Sequence, residues 1–193
     1  MASQTMMGFD PLYGAVLKGY EHMSAFLLQD QDQSVNLRFN ISQVWKPLIT
    51  ATLHGQYGIV QQLLKRPLID VNATDSDGGS ALTLAAAGGK DRIVDLLLER
   101  SDIDVNHCDN QHYFFTALIR AASQGHDTIV KLLLGRHDID VNAEDSFFGT
   151  TALAIAAANG LEMVVRMLLG RRDIDVNSIE GDFTVRVICI LEV

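Results

Sequence analysis

A Val-Asn dipeptide returns along this chain at nearly fixed intervals: Val35-Asn36, Val71-Asn72, Val105-Asn106, Val141-Asn142 and Val176-Asn177, spaced 36, 34, 36 and 35 residues apart. A glycine keeps the same register at Gly19, Gly55, Gly89, Gly125 and Gly160, with the same 36, 34, 36 and 35 spacing. Two markers in phase over most of a chain mean that one supersecondary unit has been copied about five times. A period in the thirties implies a stacked array, in which each unit touches only its neighbours.

The three clearest copies read SALTLAAAGGKDRIVDLLLERSDIDVN from Ser80, TALIRAASQGHDTIVKLLLGRHDIDVN from Thr116 and TALAIAAANGLEMVVRMLLGRRDIDVN from Thr151. Each opens on a hydroxyl residue suited to cap a helix N-terminus. An alanine-rich segment follows, with Leu118, Ala121 and Ala122 in the middle copy. Alanine favours helix, and its small side chain lets helices approach closely. The periodic glycine then ends this first helix in a left-handed turn. Ile129, Val130, Leu133 and Leu134 carry the i, i+3, i+4 stripe of a second, half-buried helix. Basic residues close it, at Lys65-Arg66, Arg100, Arg136 and Arg171-Arg172, where they suit the negative end of the helix dipole. The isoleucine of the DIDVN and LIDVN runs (Ile69, Ile103, Ile139, Ile174) is placed to fold back on the helix end. Each unit therefore reads as helix, tight turn, helix and a polar extended loop. Two such short helices cannot bury their own apolar faces, so they stack.

These residues resemble the ankyrin-repeat family, over roughly Asp10 to Asn177. Its pattern runs TPLH, AA-x-x-GH, VxxLL and DVN before a hairpin-like finger. Pro47-Leu48, Ala121-Ala122, Gly125-His126, Val130 to Leu134 and Asp140-Val141-Asn142 match it. The resemblance implies an all-α solenoid with finger loops. The repeats fall at about 10–45, 46–79, 80–115, 116–150 and 151–183, within a single array over 1–193. The TPLH histidine is replaced in every copy, by Tyr13, Ile49, Thr83, Ile119 and Ala154. In the family that histidine bonds neighbouring repeats, so this array is expected to lack that network. The first copy is degenerate but keeps Pro11-Leu12, Gly19, Leu27-Leu28 and Val35-Asn36, as a terminal cap does. Gly181 to Thr184 resembles the start of a sixth copy. The apolar run VRVICILEV then replaces the expected helix, which reads either as an improvised cap over 184–193 or as a shortened array.

The net charge of −9 speaks against direct nucleic-acid binding, which needs clustered cations, and against anionic membrane surfaces. No apolar run is long enough for a membrane span, and the N-terminal residues lack the pattern of a signal peptide. Two cysteines, Cys108 and Cys189, make no disulfide framework. A monomeric intracellular protein, cytoplasmic or nuclear, is the expectation. Much of the acid falls in the fingers (Asp75, Asp77, Asp109, Glu144, Asp145, Glu180, Asp182) and reads as a solvated rim or as a surface for a basic partner.

Motifs with chemical potential are weak. Asp75-Ser76-Asp77-Gly78 begins like a calcium loop, but Gly79-Ser80-Ala81 starts a helix where further oxygen ligands are required. Gly88-Gly89-Lys90 lacks the upstream glycine and the following hydroxyl of a phosphate loop. His107, Cys108 and His112 fall short of a full metal ligand set. No catalytic constellation recurs, and neither cofactor nor metal is expected. In the family, partners dock on the concave side, on finger tips and first-helix ends. By position, the resemblance places Trp45, Asp77, Tyr113, Phe115 and Phe148 at the tips, and His54, Gln124 and Asn159 at the helix ends. Exposed aromatics of this kind dominate interface energetics, but the same rings could instead pin the longer fingers. The expected function is a non-catalytic scaffold for another protein. The alternative is an inhibitory module that occludes an enzyme. The family also includes substrates of asparagine hydroxylases, whose L-x5-D-V-N pattern fits Leu98 to Asn106 and Leu134 to Asn142. Ordering of the finger by that asparagine explains its recurrence equally well.

Overall fold

The structure is a computed structural model that describes residues 11–29, 47–67, 69–109, 115–146 and 149–176. The helices among these residues come in five pairs: α1 Pro11–Leu17 with α2 Glu21–Gln29, α3 Pro47–Leu53 with α4 Tyr57–Leu64, α5 Ala81–Ala87 with α6 Asp91–Leu98, α7 Ala117–Gln124 with α8 Asp127–Leu134, and α9 Ala152–Ala158 with α10 Glu162–Leu169. Helices of seven to nine residues are too short to be stable alone, so their order comes from packing.

Local chemistry sets the boundaries. Ser80, Thr116 and Thr151 cap α5, α7 and α9, their side chains accepting from the backbone amides of Thr83, Ile119 and Ala154. At the first of these, Thr83 returns the bond by accepting from Ser80 N at 2.9 Å. The turn glycines all adopt φ between 63° and 70°, a conformation costly for any residue with a Cβ. At Gly89 space is excluded too, since an added Cβ would lie 2.8 Å from the His126 ring.

First helices pack on first helices (α1, α3, α5, α7, α9) and second helices on second (α2, α4, α6, α8, α10), giving two layers. The first-helix layer is close-packed through fully buried alanines, among them Ala85, Ala86, Ala121, Ala122, Ala156 and Ala157. The second-helix layer contributes Ile59, Leu63, Ile93, Leu97, Ile129, Leu133, Val164 and Leu168, all essentially shielded from water. Each such aliphatic side chain stabilises the fold by about 1.5–3 kcal/mol on burial. Ile69, Ile103 and Ile139 are buried in this same core, as the fold-back of the isoleucine requires.

The sequence points to a weakened network between repeats, because the TPLH histidine is gone. Ile119 and Ala154 at that register are simply buried, and two other ladders span the gap. In the first, the asparagine of Val-Asn brackets the next unit. Asn72 donates to Asp102 O at 2.7 Å and accepts from Asp104 N at 2.8 Å. Asn106 does the same with Asp138 and Asp140, and Asn142 with Asp173 and Asp175. In the second, Arg100, Arg136 and Arg171 each donate to the carbonyl of Leu64, Leu98 or Leu134, at the end of the second helix one repeat earlier. Arg66 donates likewise to Leu28 O. The basic residues therefore cap the preceding helix across the repeat boundary, where the sequence assigned them to their own helix end. That preceding carbonyl has no intrahelical donor, which is why a guanidinium is favoured there.

Candidate functional site

The surface available to a partner is built from the finger loops and the exposed ends of the first helices. Each described finger is closed by one aspartate three residues past the periodic asparagine. Asp75 Oδ1 accepts from Asp77 N and Gly79 N at 2.9 and 2.7 Å, and Asp75 N donates to Gly79 O. Asp109 Oδ1 accepts from Phe115 N at 3.3 Å, while Asp109 N donates to Phe115 O. Asp145 Oδ2 accepts from Thr150 N at 3.0 Å, and Asp145 N donates to Thr150 O. Antiparallel bridges Thr74–Ser80, Cys108–Thr116 and Glu144–Thr151 close the same loops. One aspartate latch thus closes fingers of different length.

This corrects the picture of a solvated acidic rim. Asp109 and Asp145 are buried, with their carboxylates engaged by backbone amides, and Asp75 is half-buried. Asp77 and Glu144 are exposed as a rim requires, whereas Glu180 and Asp182 lie outside the described residues. Sequence reasoning missed the latch, although its signal was present: an aspartate at one fixed distance from each Val-Asn.

Phe115 is half-buried and packs against the core cluster. The Arg120 guanidinium lies 4.7 Å from its ring centroid and bonds Asp109 Oδ2 at 2.6 and 3.0 Å. Ring, cation and carboxylate form one anchored unit that ties the finger to α7. Of the other positions expected to meet a partner, His54, Asp77, Gln124 and Asn159 are exposed. His54 Nδ1 lies 2.8 Å from Thr50 O, and Asn159 donates to Ser123 O at 3.1 Å, which steadies both side chains at the helix ends. Trp45, Tyr113 and Phe148 lie outside the described residues. Beside His54, Leu53 is 53% exposed, a bulky apolar side chain at the end of α3.

The weak chemical motifs resolve into structural parts. The Asp75 carboxylate is taken up by its own finger, Lys90 lies over Gly55 of the preceding turn, and His107 Nε2 sits 2.8 Å from Gly78 O in the neighbouring finger. His112 lies outside the described residues. Among the described residues, no three His, Cys, Asp or Glu side chains come together as a metal would need. No described helix is long and apolar enough to cross a membrane.

Electrostatics are arranged along the edge where the Arg ladder runs. Arg100, Arg136 and Arg171 form two-pronged bonds of 2.7–2.9 Å to Asp102, Asp138 and Asp173. These bonds hold the three carboxyls below the usual aspartate range and push the guanidinium values up. Each aspartate orients its arginine toward the preceding carbonyl.

Comparison with known proteins agrees with this architecture. A sequence signature described as ankyrin repeats in three copies matches residues 48–145 and again 82–180. No curated protein matches the chain in sequence. The crystal structure of an ankyrin repeat protein, EF0377, superposes with a TM-score of 0.80 at 26% identity, covering 94% of this chain and 96% of that one. Solved chains that match number 462, so the fold by itself does not single out a partner. Ankyrin repeats generally serve as protein–protein interaction modules and are typically non-catalytic. The two signature matches together span more than two thirds of the sequence, and the chain belongs to the ankyrin-repeat family.

Proposed function

We propose that this chain is a non-catalytic scaffold, one array of repeats that binds another protein on the face formed by its finger tips and first-helix ends. One observation carries the reading. Along the ends of the first helices, Leu53 and His54 in the second repeat, Gln124 in the fourth and Asn159 in the fifth are exposed, on helices whose other faces are locked in the core. Rigid presentation of side chains lowers the entropy lost on binding, which favours recognition. Asp77 at a finger tip extends the same surface with a fixed negative charge. Phe115 supports it from beneath by holding its finger to α7.

The test is a pull-down from native lysate followed by mass spectrometry, comparing the wild type with a Leu53→Asp/Gln124→Arg variant. Both positions are exposed, so folding should be retained, with a melting temperature within a few degrees of wild type. Loss of the co-purifying protein is the expected result. An unchanged set of partners with intact folding would sink this assignment of the face.

A further inference from the structure

On the first helices, the fourth residue after each cap lies over the base of its own finger. Leu84 leans on Gly79, where an added Cβ would meet its Cδ2 at 3.2 Å, and the Arg120 guanidinium lies over the Phe115 ring. Ile155 holds this register in the fifth repeat. All three are half-buried, whereas Thr50, at the same register in the second repeat, is buried. Three successive repeats therefore present an aliphatic side chain, a guanidinium and another aliphatic side chain in a row.

Arg120 differs from its neighbours in having a fixed donor to offer. Its Nε and Nη2 both donate to Asp109 Oδ2, and its side chain stays 27% exposed while that of Asp109 is 5% exposed. Its Nη1 has no hydrogen-bond partner among the described residues. Carboxylate and ring hold the guanidinium in place, so a partner loses little entropy in meeting it. Asp109 already cancels the charge. Nη1 therefore suits a neutral carbonyl oxygen, because an incoming carboxylate would also face Asp109.

The fingers on either side carry charge that is not cancelled. Asp77, on the finger leading into α5, and Glu144, on the finger leading into α9, are exposed and form no ion pair among the described residues. Negative charge thus stands beside both aliphatic positions and is neutralised only at the centre.

We propose that this row binds an extended segment of the partner protein, with Gln or Asn at its centre, an aliphatic side chain on either side and a basic residue at each end. The proposal rests on the scaffold reading of the same face. Neighbouring helices lie about 8–10 Å apart and an extended chain advances about 3.3 Å per residue, so successive contacts fall about three residues apart. Burial against Leu84 and Ile155 supplies affinity, and Nη1 of Arg120 sets the register. Asp77 and Glu144 attract the basic ends and reject acidic segments.

The probe is a library of random peptides displayed on phage, about nine residues long so as to span three repeats. Selection on the full-length chain should enrich Gln or Asn with Leu, Ile or Val about three residues away on each side, and Lys or Arg outside these. By fluorescence anisotropy, a synthetic peptide of that pattern should bind about tenfold more weakly when its central residue is Glu. Asp109→Asn/Arg120→Gln keeps an acceptor for Phe115 N and removes the fixed donor; it should erase the central preference and leave the ends. Leu84→Glu, at a half-exposed position, should change the preference at one end from aliphatic to basic and leave the rest. It decides the outcome should the double substitution unfold the finger, and its circular dichroism should match the wild type. Enrichment of acidic sequences, no shared pattern, or an unchanged pattern on Leu84→Glu would each overturn the proposal. Loss of the co-purifying protein from the Leu53→Asp/Gln124→Arg variant with no such pattern sinks this proposal alone, whereas unchanged co-purification removes the reading it rests on.

Discussion

Among the described residues, the joint between the first two helix pairs and the three joints that follow are built to the same plan with different completeness. Between pairs two and three, three and four, and four and five, a bracketing asparagine and an arginine held by its own aspartate cross the boundary together. At the first joint Arg66 reaches Leu28 O, but the residue at the register of Asp102, Asp138 and Asp173 is Leu68. The cores differ as well. Ser24 takes the place of Val60, Val94, Val130 and Val165, and Thr52 that of Ala86, Ala122 and Ala157. Both hydroxyls are fully buried, and neither has a hydrogen-bond partner among the described residues. Burying an unsatisfied hydroxyl costs about 1–3 kcal/mol. In an array whose stability is a sum of units and nearest-neighbour joints, the end with the poorer joint opens first. Amide exchange should accordingly be fastest in α1–α3 and slowest in α5–α8.

Substitutions at one register, made at both ends, probe this difference most sharply. Ile129→Ala empties a fully buried site and is expected to cost about 3 kcal/mol in chemical denaturation. Met23→Ala at the same register should stay within about 0.5 kcal/mol, because its side chain is already in water. Equal losses at the two positions would erase the distinction. Next in size are the ladders. Asn106→Ala removes two bonds to the following repeat and should cost about 1.5 kcal/mol, with the unfolding transition broadening as pairs three and four uncouple.

Repair of the weak joint is expected to give a smaller effect of opposite sign. Ser24→Val and Thr52→Ala install the residues found at these registers elsewhere and should each raise stability by about 1 kcal/mol. A loss on substitution would mean that the hydroxyls are satisfied in solution. The smallest effect is pH dependence. Asp102, Asp138 and Asp173 titrate below their unfolded value because of the arginine bonds. Their contribution is complete above the ordinary aspartate value of about 3.9 and disappears as pH falls through the lower folded values. Melting temperature should therefore fall less steeply below about pH 4 in the Asp102→Asn/Asp138→Asn/Asp173→Asn variant than in wild type.

Much of this fold was legible in the sequence because periodicity makes residues equivalent. The Val-Asn and glycine markers, the caps at Ser80, Thr116 and Thr151, and the apolar stripes of the second helices all follow from local rules about one unit. What periodicity leaves open is which neighbour a repeated side chain serves. Arg136 is adjacent in sequence to the end of α8, and the dipole rule points it there, yet its partner carbonyl lies 38 residues back on α6. Asp109 looked like one acid among several, and only the folded finger shows it buried under Phe115 N and Arg120. The candidate binding face was legible in part. The exposed ends at His54, Gln124 and Asn159 follow from register, while the anchoring of Phe115 depends on a cation eleven residues from its partner aspartate.

The asparagine bracket also bears on how such a gene can change length. Because every bracket uses the same atoms on the same two residues of the next unit, a deletion of one whole repeat would bring Asn72 to Asp138 and Asp140 as it now meets Asp102 and Asp104. A deletion of a single residue within a helix offers no such substitute, since it rotates one face out of the core. The bracket thereby quantises inheritance: it tolerates gain and loss in whole repeats and penalises anything between.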